Sequence, residues 1–228
     1  MNQSLLIDAA TASCRVGVAD SKGVLSERTV TAGFKHAEQL TLLIQECMQE
    51  AACSYENLSY LAITGGPGSY TGLRIGASVA KGIAFAWAKP LIALNTLEVM
   101  AKGYQIAGHA HENHDTAVLI PMIDARRMEV FTAAYSTGLE LLLSPQALVL
   151  SPDSFDFLPF RELHFFGDGA LKYQTLFSGS ARFDEDMNLS VEAMRQLAVR
   201  DFETNNFVDL AYYRPDYHKD FYSPTANK

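Results

Sequence analysis

The chain has 228 residues, 48% of them hydrophobic and 19% charged, with a formal net charge of −8. At roughly 100–200 residues per domain this allows one large domain or two small ones, with a real core, and it excludes a disordered chain. The acidic balance, with a pI of about 5.2, offers no broad basic surface to phosphate backbones, so a direct grip on tRNA or DNA is not expected as the main role. In chain order, Ser4 to Ala10 reads as a short apolar strand, Cys14 to Asp20 alternates, and Val24 to Thr31 is a third β-like run after the turn at Ser21-Lys22-Gly23. Together they predict an antiparallel meander. His36 to Ala52 reads as a helix, because Leu40, Leu43, Ile44, Cys47, Met48 and Ala51 recur at helical spacing.

Tyr60 to Thr64 is a predicted strand, Thr71 to Trp87 a helix ended before Pro90, Leu91 to Leu94 a strand and Leu97 to Tyr104 a helix. The polar run Gly108 to Asp115 lacks periodicity and marks a boundary, giving expected lobes at 1–107 and 108–228. Val118 then opens a second apolar strand. IDAATASCRVGVAD from Ile7 and IDARRMEVFTAAYS from Ile123 share a strand-turn-strand shape, which suggests a duplicated unit. Further on, Gln146 to Leu150 and His164 to Phe166 read as strands, Gly167-Asp168-Gly169 as a hairpin-like turn, and Val191 to Phe202 as an amphipathic helix. Ser154 to Phe160 is a turn or short helix, and the tail is aromatic and irregular.

Cys14, Cys47 and Cys53 lack CxxC spacing, so buried free thiols in a reducing compartment are expected rather than disulfides or zinc. The start has no basic region and breaks at Asp8, and the longest apolar stretch, Ile83 to Leu94, is interrupted by Lys89 and Pro90. The chain reads as cytoplasmic.

The most specific local pattern is GGPGSYTGLRIG, Gly65 to Gly76, between a strand and a helix. Gly66 and Gly68 allow a tight turn, and Ser69 or Thr71 can cap the helix. Two readings stand side by side: backbone amides cradling an anion or nucleotide, and a sharp bend. No lysine stands where a Walker A motif needs one. Along the helix Gly72, Gly76, Ala80 and Ala84 recur every four residues, a strip that suits close approach of another helix, from this chain or a second one. Catalytic options are few. Asp8 and Asp124 end strands, where a carboxylate can hold Mg²⁺-nucleotide or cap a turn. His111, His114 and Asp115 read as a solvated loop, and His36 is followed one helical turn later by Leu40 rather than by a second histidine.

These residues resemble the TsaB (YeaZ) family, which takes part in bacterial threonylcarbamoyladenosine modification of tRNA. The resemblance rests on LLIDAATASCRVGVAD, His36 with its helix, GGPGSYTGLRIG continuing as AKGIAFA, and the segment from Asn95. Beyond that, the stretch from Pro121 to Arg126 and Ala211-Tyr212-Tyr213-Arg214 match loosely. It implies an α/β fold of the ASKHA (actin-like, ribonuclease H-like) kind, two duplicated lobes with mixed sheets flanked by helices. It implies a non-catalytic subunit that pairs with the catalytic paralogue TsaD, recruits the ATPase TsaE, self-associates when alone and reaches tRNA only through the complex. No catalytic metal and no cofactor are expected, beyond weak nucleotide binding at an assembly interface; the candidate anion or nucleotide site read from the residues themselves is Asp8, Gly66, Gly68, Ser69 and Thr71. The implied partner seam is His36, Leu40, Leu43, Cys47, Gly72, Leu73, Gly76 and Ala80, so Gly76→Arg is expected to block pairing and leave the chain folded.

Overall fold

The computed structural model describes residues 2–31, 36–109, 117–158, 162–186 and 189–218. Strand alternation writes its beginning. In β1 (Gln3–Asp8) Leu5 and Ile7 enter one core and Leu6 the other, and all three are buried. β1 pairs antiparallel with β2 (Ser13–Ala19), and β2 with β3 (Val24–Thr31). At their turn the Asp20 carboxylate accepts the amides of Lys22 and Gly23 at 2.7 and 3.1 Å. The predicted meander is therefore present. β4 (Leu58–Gly66) and β5 (Leu91–Asn95) join in parallel, for the order β3-β2-β1-β4-β5. Parallel neighbours need crossovers, and α1 (His36–Glu50) and α2 (Tyr70–Ala86) supply them, with α3 (Thr96–Ile106) following β5.

The second half repeats this plan. β6 (Ala117–Asp124), β7 (Glu129–Ser136) and β8 (Leu141–Val149) form an antiparallel meander. β9 (Glu162–Phe166) lies parallel to β6, and β10 (Arg182–Asp184) parallel to β9. The order β8-β7-β6-β9-β10 matches the first sheet strand for strand and sense for sense, so the likeness of the two Ile-Asp-Ala segments extends to the whole unit. Two expectations change. β8 begins at Leu141 rather than Gln146, and Gly167-Asp168-Gly169 is not a hairpin: it leads from β9 into α4 (Ala170–Gln174), because β10 returns parallel to β9.

Local chemistry sets the helix ends. Ser69 caps α2, Asn95 caps α3 through the amides of Leu97 and Glu98, and Ser190 caps α5 (Val191–Glu203) through the amide of Ala193. After α2, Ala88 takes a positive φ of 50° and Pro90 prevents continuation.

The apolar faces stack in layers. α1 and α2 cover one face of the first sheet, where Leu40, Ile44 and Cys47 meet Leu5, Ile7, Val16 and Ala80. α3 and α5 lie between the sheets, sharing one core with Leu6, Ala62 and Leu94 of the first and Leu119, Phe131 and Phe166 of the second. The far face of the second sheet is filled by Phe155, Phe165 and Tyr173. The first sheet draws its strands from residues 3–95 and the second from 117–184, yet α5 packs on the first sheet. Neither lobe is covered by one half of the chain alone.

His164 is buried beside this shared core, with Nε2 2.9 Å from Glu162 Oε1 and Nδ1 3.2 Å from the Tyr104 hydroxyl. Burial pushes its pKa below the usual 6.5 despite the opposing Glu162 hydrogen bond and charge. The unfolded chain then takes up this proton first as pH falls. The contribution is whole above pH 6.5 and is lost as pH drops below it toward the folded value. Urea unfolding between about pH 5 and 7.5 is expected to show a flatter pH dependence in His164→Asn than in the wild type; parallel curves would remove this assignment.

Candidate functional site

The glycine turn is bound by the chain itself. β4 runs through Gly65 and Gly66, the Gly66–Pro67 bond is cis, and Gly66 has a φ of 119°. The Ser69 amide donates to the Ala10 carbonyl at 2.6 Å, the Leu73 amide to the Ser69 carbonyl at 2.8 Å, and the Gly72 amide to Ser69 Oγ at 3.3 Å. A Cβ at Gly68 would collide with the Ala10 carbonyl, and one at Gly72 with the Ala9 carbonyl oxygen. These three amides are engaged by the β1–β2 turn, by the Ser69 cap and within the helix. Of the two readings, the geometry favours the bend. Thr71 is exposed and does not cap the helix; Ser69 does.

The small-residue strip also faces inward. Gly72, Gly76, Ala80 and Ala84 are buried, and a Cβ at Gly76 would stand 3.4 Å from Ala9 Cβ and 4.0 Å from Ile7 Cγ2. Leu40, Leu43, Cys47 and Leu73 are buried as well. The expected partner seam is thus the contact of α1 and α2 with their own sheet, and an arginine at Gly76 would break the fold rather than block docking. The side chain of His36, and His111 and His114, lie outside the described residues.

The outward face of α2 carries different residues. Thr71, Ser78, Gly82 and Ala86 are exposed, and Phe85 is 82% exposed. A Cβ built at Gly82 meets no heavy atom of the described residues within 4 Å. On α1 the matching exposed apolar side chain is Leu42.

Asp8 is fully buried at the end of β1. It accepts from Arg15 Nη1 at 3.0 Å, Thr64 Oγ1 at 2.8 Å and the Ala10 amide at 3.0 Å. Asp8 and Arg15 stand opposite each other in the β1–β2 register, so Arg15 was legible as a partner from the meander alone. Asp124, its counterpart in the second lobe, accepts from Lys172 Nζ at 2.5 Å and from the Arg126 amide at 2.6 Å. Partial burial would raise its pKa, but Lys172 and the Arg126 amide outweigh burial and hold it below the ordinary carboxylate value. Asp168, which accepts the Asp124 amide at 2.8 Å, is pushed up by burial. Both strand-end carboxylates are thus engaged by neighbouring cations. Among the described residues no three His, Cys, Asp or Glu side chains are grouped to hold a metal.

The three cysteines are buried free thiols. Burial raises Cys14 to about 12, with the Asp8 charge adding to it, and burial also raises Cys47 and Cys53. None offers a thiolate nucleophile near neutral pH. No helix of the described residues is long and apolar enough to cross a membrane.

A family model described as "TsaD: tRNA N6-adenosine threonylcarbamoyltransferase" matches residues 20–197. The tRNA threonylcarbamoyladenosine biosynthesis protein TsaB of Escherichia coli K12 is 32% identical over 136 residues, 58% of this chain and 54% of that protein. The Bacillus subtilis 168 protein of the same name is 27% identical over 68% of this chain and 65% of its own length. The chain thus spans about half to two thirds of the curated TsaB proteins that it matches. A Pseudomonas aeruginosa structure, described as an uncharacterized protein with similarity to peptidase YEAZ, superposes with a TM-score of 0.82 at 22% identity, covering 96% of this chain and 100% of that one. That likeness, with the duplicated sheets, shows the fold: two α/β lobes of one plan, each a mixed sheet flanked by helices. The chain belongs to the family described as TsaD, tRNA N6-adenosine threonylcarbamoyltransferase, and its resemblance within that family is to the TsaB (YeaZ) proteins.

Proposed function

We propose that the chain is a non-catalytic subunit in the formation of N6-threonylcarbamoyladenosine at position 37 of tRNA, and that it docks a TsaD-type paralogue through the outward face of α2. The observation that carries this reading is Gly82. A glycine inside a helix costs about 1 kcal/mol relative to alanine, and packing among the described residues gives no reason for it. A helix approaching from outside does. Ser78 and Ala86 beside it are also small, and exposed Phe85 is an aromatic side chain of a type enriched in interface cores.

In this reading the first lobe, 1–107, carries the docking helices, and the more diverged second lobe, 108–228, completes the scaffold. The same face serves self-association when the chain is alone, TsaE joins the assembled pair, tRNA is reached through the complex, and the assembly works in the cytoplasm. Any nucleotide binds weakly at an assembly interface rather than at Asp8, whose carboxylate is already held by Arg15.

Gly82→Arg tests the reading. A Cβ there meets no heavy atom of the described residues within 4 Å and arginine is a better helix former than glycine, so the variant is expected to fold with a melting temperature no lower than that of the wild type. Its affinity for the paralogue is expected to fall at least about 100-fold, since a bulky charge would sit at the closest point of approach. In a mixture of TsaD, TsaE, the adenylate donor and tRNA, modification should then fail. A folded Gly82→Arg chain that co-purifies normally with the paralogue overturns the proposal.

A further inference from the structure

The stretch 208–218 does not trail away from the fold. It returns across the first lobe as a strap over the glycine turn. The Val208 amide donates to the Leu91 carbonyl at 2.9 Å, Lys81 Nζ of α2 to the Tyr213 carbonyl at 3.2 Å, and the Asp216 amide to the Gly65 carbonyl at 2.8 Å. The Tyr217 ring lies 4.6 Å from the ring of Tyr70, the first residue of α2. A Cβ on Gly66 would fall on the backbone oxygen of Asp216, and one on Gly65 would come within 2.9 Å of the Tyr213 hydroxyl. Those two glycines are the seat on which the strap's backbone rests.

The seat is built for release as much as for holding. Val208, Leu210 and Tyr213 pack on the core of the first lobe, and isolated hydrogen bonds and the Tyr217–Tyr70 ring contact add to this, with no strand ladder along the stretch 208–218. The Tyr213 hydroxyl is buried and has no hydrogen-bond partner among the described residues, a cost carried by the seated state alone. Segments held in this way open locally while the core stays closed.

We propose that the strap is an intramolecular latch: it seats on Gly65–Gly66 through the Asp216 backbone, opens as a unit while the lobe remains folded, and is coupled through α2 to docking. The coupling rests on the docking reading above; the latch does not. The latch grips α2 at Tyr70 and Lys81, and Lys81 neighbours Gly82. A partner that fixes α2 therefore alters the strap's opening, and an open strap alters the partner's affinity by the same factor.

Amide hydrogen exchange on the full chain tests the latch. Asp216→Pro removes the amide that Gly65 accepts, whereas Asp216→Ala keeps it. In Asp216→Pro the Val208 and Tyr213 amides are expected to exchange about tenfold faster than in the wild type, with β4 unchanged; Asp216→Ala should stay within about twofold. Tyr213→Phe removes the unpaired hydroxyl and should slow strap exchange. Equal strap exchange in the two Asp216 variants overturns the seat, and strap amides that exchange only as slowly as those of β4 overturn the latch. Titration of the wild-type chain with the TsaD-type paralogue reads the coupling: the Val208 and Tyr213 amides should exchange several-fold more slowly in the complex than in the free chain. Strap exchange unchanged by the bound partner overturns the coupling. If the wild type does not bind at all, the docking reading fails, and the latch is still decided by exchange in the chain alone.

Discussion

Gly72→Ala is expected to destabilise the chain by about 2–3 kcal/mol, while Gly82→Ala on the same helix stabilises it by up to about 1 kcal/mol. Alanine is the better helix former at both sites, so surroundings decide the sign. At Gly72 the added carbon falls on the Ala9 carbonyl oxygen. That oxygen cannot swing aside like the end of a flexible side chain. The Ala10 amide is tied to Asp8 Oδ1 at 3.0 Å and the Ala10 carbonyl to the Ser69 amide at 2.6 Å, so the turn is held from both sides. Relieving the overlap would push α2 off the first sheet, where Ala77, Ala80 and Ala84 are buried. At Gly82 the added carbon meets only open space among the described residues. Urea unfolding of the two variants is the check, and a Gly72→Ala chain within about 0.5 kcal/mol of wild type would show that the hairpin turn yields.

The same pair explains what could be read from the sequence and what could not. The strands were legible because the run Leu5-Leu6-Ile7 reports burial on both faces of a sheet, and the alternation of Cys14, Val16 and Val18 reports one buried face. The helices were legible from their period and from caps such as Ser69 and Asn95. The duplicated unit showed in one pair of matched segments. The side on which α2 faces its own chain was not legible. Its small residues Gly72, Gly76, Ala80 and Ala84 face inward, while Thr71, Ser78, Gly82 and Ala86 share the outward face with the larger Arg74 and Phe85. Spacing alone cannot say which face meets the sheet. The deciding contacts, Ala9 against Gly72 and Asp216 against Gly66, join residues far apart in the chain. The tail read as irregular for a related reason: its order comes from the glycine seat and from α2, not from any period of its own.

Asp8→Ala is expected to cost about 3–5 kcal/mol, because it strands the Arg15 guanidinium, whose side chain is 17% exposed, without a counter-charge. Thr64 Oγ1 and the Ala10 amide lose their acceptor in the same step. Asp8→Asn keeps an oxygen for those two donors and removes the charge, so it should cost less. Asp8→Ala combined with Arg15→Leu should recover much of the loss, since the penalty lies in the unpaired charge rather than in the missing contact. This ladder of stabilities also separates two roles for a strand-end carboxylate. A ligand for a metal-bound nucleotide would be dispensable for folding, and its removal would act on turnover. A structural counter-ion behaves in the opposite way. Arg15 and Asp8 face each other across the β1–β2 register, and Thr64 on β4 closes the third side. The carboxylate therefore joins three strands at the point where the glycine turn begins. Urea unfolding of the two single variants and the double variant gives the coupling energy directly. A value near zero would return Asp8 to the list of residues free to hold a ligand.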